Sequence, residues 1–244
     1  MDRPDLALDW KERGGDAEFP APRVCVVLLT YLRTEMAVRT VRTLCENLDY
    51  PKELLGFYIA DDGSPWEHMQ AVLDEINRGG LYVVGYHNEK FRPGTPYVGL
   101  GWNLGLLKGF QAANIILQLE DDWELKSPLD IRPYIRCLLE RTDVGIIRLS
   151  GLPEGLELKV RGHHGVHYLE CLRSASFAYS GNPHLRHKRF SDYYGFFSTK
   201  HTPGDLEIEY DRFFRNDPNG PSIWRPADLP AWGIFGHIGQ TRTW

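Results

Sequence analysis

The stretch Ile115-Ile-Leu-Gln-Leu-Glu-Asp-Asp-Trp-Glu-Leu125 decides how the fold of this chain is interpreted. It begins as a largely apolar run of five residues and ends in three consecutive carboxylates, Glu120, Asp121 and Asp122. A short apolar run bounded by polar residues is typical of a buried strand in a parallel sheet. Carboxylates crowded at the end of such a strand favour the protonated state unless a cation lies among them.

The acidic triplet has two interpretations. Oxygen ligands of this kind suit Mg²⁺ or Mn²⁺, ions that commonly also bind substrate phosphates. The alternative is a solvated acidic turn after a strand, since charged side chains are mostly exposed. The elements on either side of the triplet distinguish the two.

Strands and helices alternate along the first part of the chain. We predict further strands at 24–29, 54–60, 81–86 and 144–149, and helices from a Thr34 cap towards Pro51, at 66–77, at 101–113 and at 127–141. This alternation predicts an α/β fold with a parallel sheet and right-handed crossovers. In such sheets ligands collect at the carboxyl ends of the strands, where Thr30-Tyr31, Asp61-Asp62 and the acidic triplet fall.

The pattern changes after about residue 152. We predict strands at 166–172 and 176–179, a helical stretch around Leu185 and another after Pro203, separated by long loops. The chain is therefore divided into an irregular N-terminal arm at 1–22, an α/β part at 23–151 and a loop-rich part of the same domain at 152–244.

Composition excludes several classes of protein. A chain of 244 residues with 42% hydrophobic content can bury a full core, and a net charge of -5 argues against a dedicated nucleic-acid binder. The basic run His184–Arg189 is interpreted as a solvated helix face. Four widely spaced cysteines are interpreted as buried thiols. Because neither a membrane span nor a signal-peptide core is present in the sequence, we expect a cytoplasmic protein.

Familiar cofactor and nucleophile motifs do not account for the chain. Gly99-Leu-Gly101-Trp-Asn-Leu-Gly105 has part of a dinucleotide-binding fingerprint, but its spacing is wrong and it does not follow the first strand. The sequence contains no Gly-x-x-x-x-Gly-Lys-Ser/Thr phosphate loop and no nucleophile elbow. A dinucleotide or serine-hydrolase site is therefore not expected.

Four short motifs near predicted strand ends do form a pattern. In chain order they are Thr30-Tyr31-x-Arg33, Asp61-Asp62-Gly63-Ser64, Asn103-x-Gly105 and Glu120-Asp121-Asp122. This order resembles the family 2 glycosyltransferases of the GT-A fold, well over residues 23–150 and loosely beyond. The resemblance implies a mostly parallel central sheet flanked by helices, in which 23–151 binds a nucleotide sugar and 152–244 binds the acceptor and carries catalysis.

The resemblance also implies roles for particular residues. Family members bind the nucleobase and ribose after the first two strands, so donor-nucleotide binding is expected from Thr30, Tyr31, Arg33, Asp61, Asp62, Asn103 and Asp121. The acidic triplet corresponds to the family's Asp-x-Asp element, with Glu in its first place, which implies Mn²⁺ or Mg²⁺ bound by Asp122. His237, in a late His-x-Gly element, is the second expected metal ligand.

The general base in this family is a late carboxylate near the start of a helix. The matching stretch here begins at Pro203, and Asp205 is the preferred candidate, with Glu207 second. The family usually has an acidic residue where Gly204 stands. Thr202, three residues before Asp205, also gives a capping-box-like pattern, so a purely structural role for Asp205 is an alternative.

The implied reaction is transfer of a sugar, with inversion, from a nucleotide diphosphate donor to an acceptor hydroxyl. A UDP-sugar is the expected donor, and a glycan, a lipid-linked saccharide, a protein or modified DNA the acceptor. A metal ion would stabilise the leaving diphosphate, and the base would accept the hydroxyl proton. The alternatives are a sugar-nucleotide pyrophosphorylase, whose Gly-rich loop is replaced here by Thr30–Arg33, and a non-catalytic nucleotide-sugar-binding module.

Overall fold

The computed structural model describes residues 23–90, 98–198 and 203–239, so the predicted arm at 1–22 lies outside the described residues. The helices are α1 (Thr34–Asn47), α2 (Trp66–Arg78), α3 (Val98–Ala112), α4 (Arg132–Glu140), α5 (Lys188–Tyr194) and α6 (Pro203–Asn216), with a 3-10 turn at Lys52–Leu54. The strands are β1 (Val24–Thr30), β2 (Leu48–Asp49), β3 (Leu55–Asp61), β4 (Tyr82–Asn88), β5 (Ile115–Glu120), β6 (Trp123–Leu125), β7 (Leu129–Asp130), β8 (Val144–Arg148), β9 (Leu158–His163), β10 (Val166–Cys171), β11 (His184–His187), β12 (Ser222–Pro226) and β13 (Phe235–His237).

A nine-stranded sheet forms the centre of the molecule, in the order β4-β3-β1-β5-β11-β8-β12-β10-β9. The first four strands are parallel, and of the others only β11 and β10 run in the opposite direction. Two small sheets pair β13 with β6 and β2 with β7. The predicted α/β class with a mostly parallel sheet is confirmed.

Helices cover both faces of the sheet, which explains why the central strands are continuous apolar runs. In β1, Val24, Val26 and Leu28 belong to a core shared with α1, α2 and α4. The intervening residues, Cys25, Val27 and Leu29, belong to a second core with α3, α5 and α6. The alternation of side chains along a strand thus divides the interior into two apolar layers.

Glycines allow α3 to lie close to β1. A Cβ atom built on Gly105 would stand 2.5 Å from Cγ1 of Val27, and one built on Gly109 would stand 2.7 Å from its Cγ2. Distances this short force neighbouring atoms to move, because packed interiors contain little free space. Packing, rather than a dinucleotide site, therefore accounts for Gly105 in the sequence Gly99–Gly105.

The predicted helix at 127–141 is too long at its start. Leu129–Asp130 is β7, paired with Leu48–Asp49, and α4 begins at Arg132. Proline is favoured in the first turn of a helix, and the proline that occupies this position is Pro133, not Pro128.

The basic run at 184–189 is neither a helix face nor solvated at its start, so that prediction is wrong. His184–His187 is β11, antiparallel to both β5 and β8 and buried between them. The Arg186 guanidinium lies 5.0 Å from the Phe190 ring centre and 5.3 Å from that of Tyr210. Aromatic faces attract a cation, which offsets part of the cost of its burial.

One further prediction in the second part needs correction. The predicted strand at 176–179 is a turn and loop, because the Asp211 carboxylate accepts hydrogen bonds from the backbone N–H groups of Phe177 (3.0 Å) and Tyr179 (3.2 Å). On α6, Phe214 is buried with Leu206 and Tyr210, whereas Phe213 is 39% exposed. The strand expected at 166–172 and the helix after Pro203 are confirmed.

The four cysteines are free. Cys25, Cys137 and Cys171 are buried, as predicted, whereas Cys45 is partly exposed. Burial raises the pKa of the Cys171 thiol to about 11, so this group is an unreactive apolar filler at neutral pH. Within the described ranges, none of the helices combines the length and apolar character needed to cross a bilayer.

Candidate active site

Three of the four motifs meet at one edge of the sheet, as the sequence predicts. In the parallel pairing of β1 with β3, Thr30 lies opposite Asp61, and in the pairing of β1 with β5, Leu29 lies opposite Glu120. The carboxyl ends of three neighbouring strands therefore place the segments after β1, β3 and β5 side by side, where ligands bind in open α/β sheets.

Arg33 lies among the carboxylates that follow β5. Its guanidinium pairs with Asp121 and, from Nη1, with Oδ2 of Asp122 at 2.6 Å. Asp121 is fully buried and also accepts hydrogen bonds from Oγ1 of Thr30 (2.8 Å) and the backbone N–H of Tyr31 (3.1 Å). Burial raises the pKa of Asp121 to about 6, against the opposing effect of the Arg33 charge. Asp121 thus orders the loop after β1.

Asp122 has an unused ligand atom. Its Oδ1 is buried and has no hydrogen-bond partner among the described residues, while Oδ2 lies 3.2 Å from Nε2 of His237. The pairing of β13 with β6 sets His237 opposite Trp123, and the Ile238 N–H donates to the Asp122 backbone carbonyl at 2.8 Å. An orphaned carboxylate oxygen beside an imidazole is a donor set that fits Mn²⁺ or Mg²⁺.

Glu120 lines the same pocket as Asp122. Its pKa is raised to about 8, mainly by burial and then by the negative charges of Asp122, Asp121 and Glu207. These carboxylates repel one another at the strand end, as the sequence predicts. Glu120 was part of the quoted triplet but was not assigned a role from the sequence.

The predicted donor residue Asp61 is enclosed in its own loop. It is 0% exposed and accepts hydrogen bonds from Ser64 N (2.7 Å), Ser64 Oγ (2.5 Å) and Asn88 Nδ2 (2.6 Å). The neighbouring Asp62 pairs with Nζ of Lys90 at 3.2 Å, and this ammonium also lies 4.1 Å from the Tyr31 ring centre. Asp61 therefore stabilises the turn after β3, whereas Asp62 and Tyr31 both contact the Lys90 ammonium.

His68 connects these loops and was missed from the sequence. Its Nε2 lies 2.9 Å from Oγ1 of Thr30 and its Nδ1 lies 2.9 Å from Oγ1 of Thr34. Because the single Thr30 proton is donated to Asp121, Nε2 must donate to Thr30 and Nδ1 must accept from Thr34. The predicted Thr34 cap is therefore wrong: Arg33 holds the N-cap position, without a side-chain cap, and the Thr34 hydroxyl binds His68.

Glu207 of α6 also lines the pocket. It lines the cavity together with Asp122 and Glu120, and its Oε1 accepts hydrogen bonds from the Gly181 N–H (2.5 Å) and the Ser180 hydroxyl (3.3 Å). Asp205, the base preferred from the sequence, is exposed and is absent from the cavity lining. Two positions on a helix differ by about 200° in direction, so only one of these carboxylates can face the pocket.

Asn103, which is predicted to bind the donor, contacts the backbone of Phe197 instead of lining the pocket. Its Nδ2 donates to the Phe197 carbonyl at 2.8 Å, and its Oδ1 accepts from the Phe197 N–H at 2.8 Å. Phe197 itself lines the pocket, and Asn103 does not. The side chain therefore positions the segment that leads towards α6, and its contact with a donor stays a prediction.

A second cavity adjoins the first. The two share Trp123, Asn182 and Glu207 as lining residues, and the second is bordered by Phe177 and Trp232, which are 54% and 78% exposed. Exposed apolar rings grouped at the border of a cavity are typical of a ligand-binding groove. The arrangement is one pocket beneath the strand ends that opens into an aromatic-rimmed groove, with Glu207 at the junction.

Comparisons with known proteins identify the fold. No family model matches the sequence, and no curated protein matches it either. Among solved structures, the chain is similar to the mannosyltransferase PcManGT from Pyrobaculum calidifontis in complex with GDP-Man and Mn²⁺, with a TM-score of 0.59 at 15% identity over 86% of this chain and 56% of that one.

Two further structures agree. S. aureus TarS 1-349 in complex with UDP gives a TM-score of 0.61 at 13% identity, over 84% of this chain and 58% of that chain. GalNAc-T7 with UDP, GalNAc and Mn²⁺ gives a TM-score of 0.60 at 12% identity, over 92% of this chain and 45% of that chain. The chain spans about half the length of these proteins. By its sheet, its strand-end site and these likenesses, the chain has the GT-A glycosyltransferase fold.

Proposed function

We propose that this chain is a metal-dependent glycosyltransferase that moves a sugar from a nucleotide diphosphate to an acceptor hydroxyl. The observation that carries the proposal is the pocket itself. Asp122, with an unpartnered buried oxygen, faces it from the end of β5, and Glu207 faces it from α6. A cation-binding carboxylate and a proton-accepting carboxylate in one pocket are the two groups that glycosyl transfer to a hydroxyl requires.

The donor side of the proposal rests on the loops after β1, β3 and β5. Mn²⁺ or Mg²⁺ would be held by Asp122 and His237 and would offset charge on the leaving diphosphate. Arg33 supplies a guanidinium at the same place, and guanidinium groups bind phosphate well. Tyr31 and Asp62 are proposed to contact the nucleoside. Structures of similar fold that contain UDP or GDP-Man, two of them with Mn²⁺, support this assignment.

The acceptor side is proposed to lie in residues 152–244, and the donor side in 23–151. Glu207 is proposed as the general base in preference to Asp205, because it lines the pocket and two hydrogen bonds hold its Oε1. The other carboxylate oxygen, Oε2, is proposed to accept the acceptor proton. Direct attack by an acceptor activated in this way inverts the anomeric centre.

The groove beyond Glu207 favours a saccharide as acceptor. Phe177 and Trp232 present apolar rings at its border, while Ser180 and Asn182 offer polar groups inside it. A sugar ring combines apolar faces with hydroxyl edges, which matches this mixture of surfaces. Lipid-linked saccharides, glycoproteins and modified DNA belong in the acceptor panel that tests the proposal.

Donor turnover is the direct test. The whole chain is incubated with UDP-glucose, UDP-GlcNAc, UDP-GalNAc and GDP-mannose, with Mn²⁺ or with EDTA, and release of the nucleoside diphosphate is measured with and without saccharide acceptors. We expect one donor to turn over only with the metal, faster with the correct acceptor. Metal-dependent binding, detected as a rise in melting temperature without diphosphate release, would instead identify a nucleotide-sugar-binding module.

A further inference from the structure

A cluster of metal-ligating side chains lies outside the donor and acceptor cavities. It comprises Glu140, the last residue of α4, His163, the last residue of β9, and His164 in the turn to β10. One ligand atom from each of the three lies within 4.8 Å of the other two, and no other group of His, Cys, Asp and Glu in the described ranges is so arranged. None of the three lines the pocket that contains Asp122 and Glu207.

The spacing of these atoms is close to that of ligands around one ion. Oε2 of Glu140 lies 3.2 Å from Nε2 of His163 and 2.6 Å from Nε2 of His164. Two ligands about 2.1 Å from a tetrahedral Zn²⁺ stand roughly 3.4 Å apart. His163 is therefore already at the spacing that the ion needs, and His164 requires a shift on the order of 1 Å.

The hairpin turn explains why two successive histidines reach the same carboxylate. Neighbouring residues of a strand point to opposite faces, so His163 and His164 would diverge if the strand continued. Instead His164 and Gly165 have φ angles of +48° and +79°, the left-handed pair of a two-residue hairpin. The turn redirects the His164 ring, whose centre lies 4.4 Å from that of His163 in an edge-on arrangement.

His163 provides a second, independent observation. Its side chain is only 13% exposed, and its Nε2 is buried and lacks a hydrogen-bond partner among the described residues, even though Glu140 is nearby. A buried ring nitrogen without a partner is unfavourable, because its lost contact with water is not replaced. A cation bound at this nitrogen would satisfy it. The cluster also adjoins the carboxyl end of α4, where the helix dipole favours positive charge.

We propose that Glu140, His163 and His164 form a Zn²⁺ site that links the β9–β10 hairpin at the sheet edge to the end of α4. Two imidazoles and one carboxylate suit Zn²⁺ better than Mg²⁺ or Mn²⁺, which prefer sites composed mainly of oxygen ligands. Three protein ligands leave one position for water. The positive charge of Arg136, one turn earlier on α4, interacts with the Glu140 carboxylate and repels a bound cation. Zn²⁺ binding is therefore expected to be weaker than in a four-ligand structural site.

Isothermal titration of the EDTA-treated, dialysed whole chain with ZnCl₂ tests the site. We expect one equivalent to bind, and Glu140→Gln, His163→Gln and His164→Asn each to weaken binding at least tenfold, since each removes one ligand. Asparagine at 164 tolerates the left-handed turn, so the hairpin is kept. The matched control is His167→Gln, which alters an exposed histidine of the same hairpin and should leave Zn²⁺ binding unchanged.

Two comparisons separate this site from the proposed donor site. Asp122→Asn should retain the Zn²⁺ equivalent, whatever happens to donor turnover. Co²⁺ bound to the wild-type chain should give the absorption bands of a cobalt ion bound to imidazole nitrogens. This measurement tests the site without variants. Unchanged Zn²⁺ binding in His163→Gln, loss of binding in Asp122→Asn, or no binding to the wild type would overturn the proposal and leave an ion pair between Glu140 and His164.

Discussion

At the scale of single residues, orientation distinguishes Glu207 from Asp205. Both carboxylates lie in the first turns of α6, but only Glu207 lines the pocket and is held there, through its Oε1, by Gly181 and Ser180. We expect Glu207→Gln to lower kcat for transfer by about 100-fold or more, because a positioned base contributes roughly 10²–10⁴-fold. Donor affinity should change little, since the base acts on the acceptor.

The matched control for this prediction is Asp205→Asn, two positions away on the same helix. It should leave kcat almost unchanged, because the exposed Asp205 carboxylate lies outside the cavity lining. Steady-state kinetics with the donor and acceptor found in the turnover panel would measure both variants. The reverse result, loss of activity in Asp205→Asn alone, would return the base to the residue preferred from the sequence.

A second prediction concerns Asp122. Its Oδ1 lacks a partner, and replacing the carboxylate by an amide removes the charge that a divalent ion needs. In Asp122→Asn we expect UDP to lose its Mn²⁺-dependent rise in melting temperature, while the unfolding transition without ligands stays cooperative. Asp130→Asn, at an exposed ion pair with Arg132, is the control. Full Mn²⁺-dependent stabilisation in Asp122→Asn would exclude this residue as the ligand.

At the scale of elements, Arg189 fixes the junction between α4 and β8. Its Nη1 donates to the carbonyls of Leu138 (2.7 Å), Arg141 (2.9 Å) and Val144 (2.7 Å). Leu138 lies in the last turn of α4, where carbonyls lack a partner within the helix, Arg141 is the residue after the helix, and Val144 begins β8. Arg189 thus stabilises the end of α4 from a distant part of the chain. The interpretation of the basic run as a solvated helix face did not predict this role.

We expect Arg189→Met to lower the free energy of unfolding by about 2–3 kcal/mol, because three carbonyls lose a charged donor. Lys188→Met is the matched control: Lys188 forms an exposed pair with Asp192, and such pairs contribute about 0–1 kcal/mol. Urea titration followed by circular dichroism would measure both. Equal stability of the two variants would contradict the role assigned to Arg189.

At the scale of the whole molecule, the antiparallel strand β11 makes stability depend on pH. His184 is fully buried between β5 and β8, and burial together with the charges of Arg186 and Arg148 lowers its pKa to about 3, against a weaker opposing effect of the Asn182 carbonyl. Between this value and an unfolded pKa near 6.5, only the unfolded chain binds the proton. Stability is therefore retained above about pH 6.5 and is lost as the pH falls towards 3.

We expect His184 alone to lower the free energy of unfolding by about 2 kcal/mol between pH 7.5 and pH 5. Chemical denaturation across this range, for the wild type and for His184→Gln, isolates the contribution, because His68 and His187 titrate in both proteins. The pH slope should be shallower in the variant. Identical slopes would show that His184 is accessible to protons in the folded protein.

The sequence by itself determined the class of fold and the location of the candidate site. Buried parallel strands are continuous apolar runs, and the residues that end them are adjacent in sequence to those runs, so local pattern alone predicts both β1 and β5 and the meeting of Thr30, Asp61 and Glu120 at one edge. The predicted elements before residue 127 are accurate to a few residues for the same reason.

Only the tertiary structure decided which side chains face the pocket and which charges are buried. The orientation of α6, set by the packing of Leu206, Tyr210 and Phe214, turns Glu207 inwards, and Thr30 and Asp121 are enclosed by partners distant in the chain. His184–Arg189 is too short for periodicity to separate a strand from a helix, and charge normally indicates solvent. Its burial depends on β5, β8 and the carbonyls of Leu138 and Val144, which lie far from it in sequence, so a local sequence pattern cannot predict it.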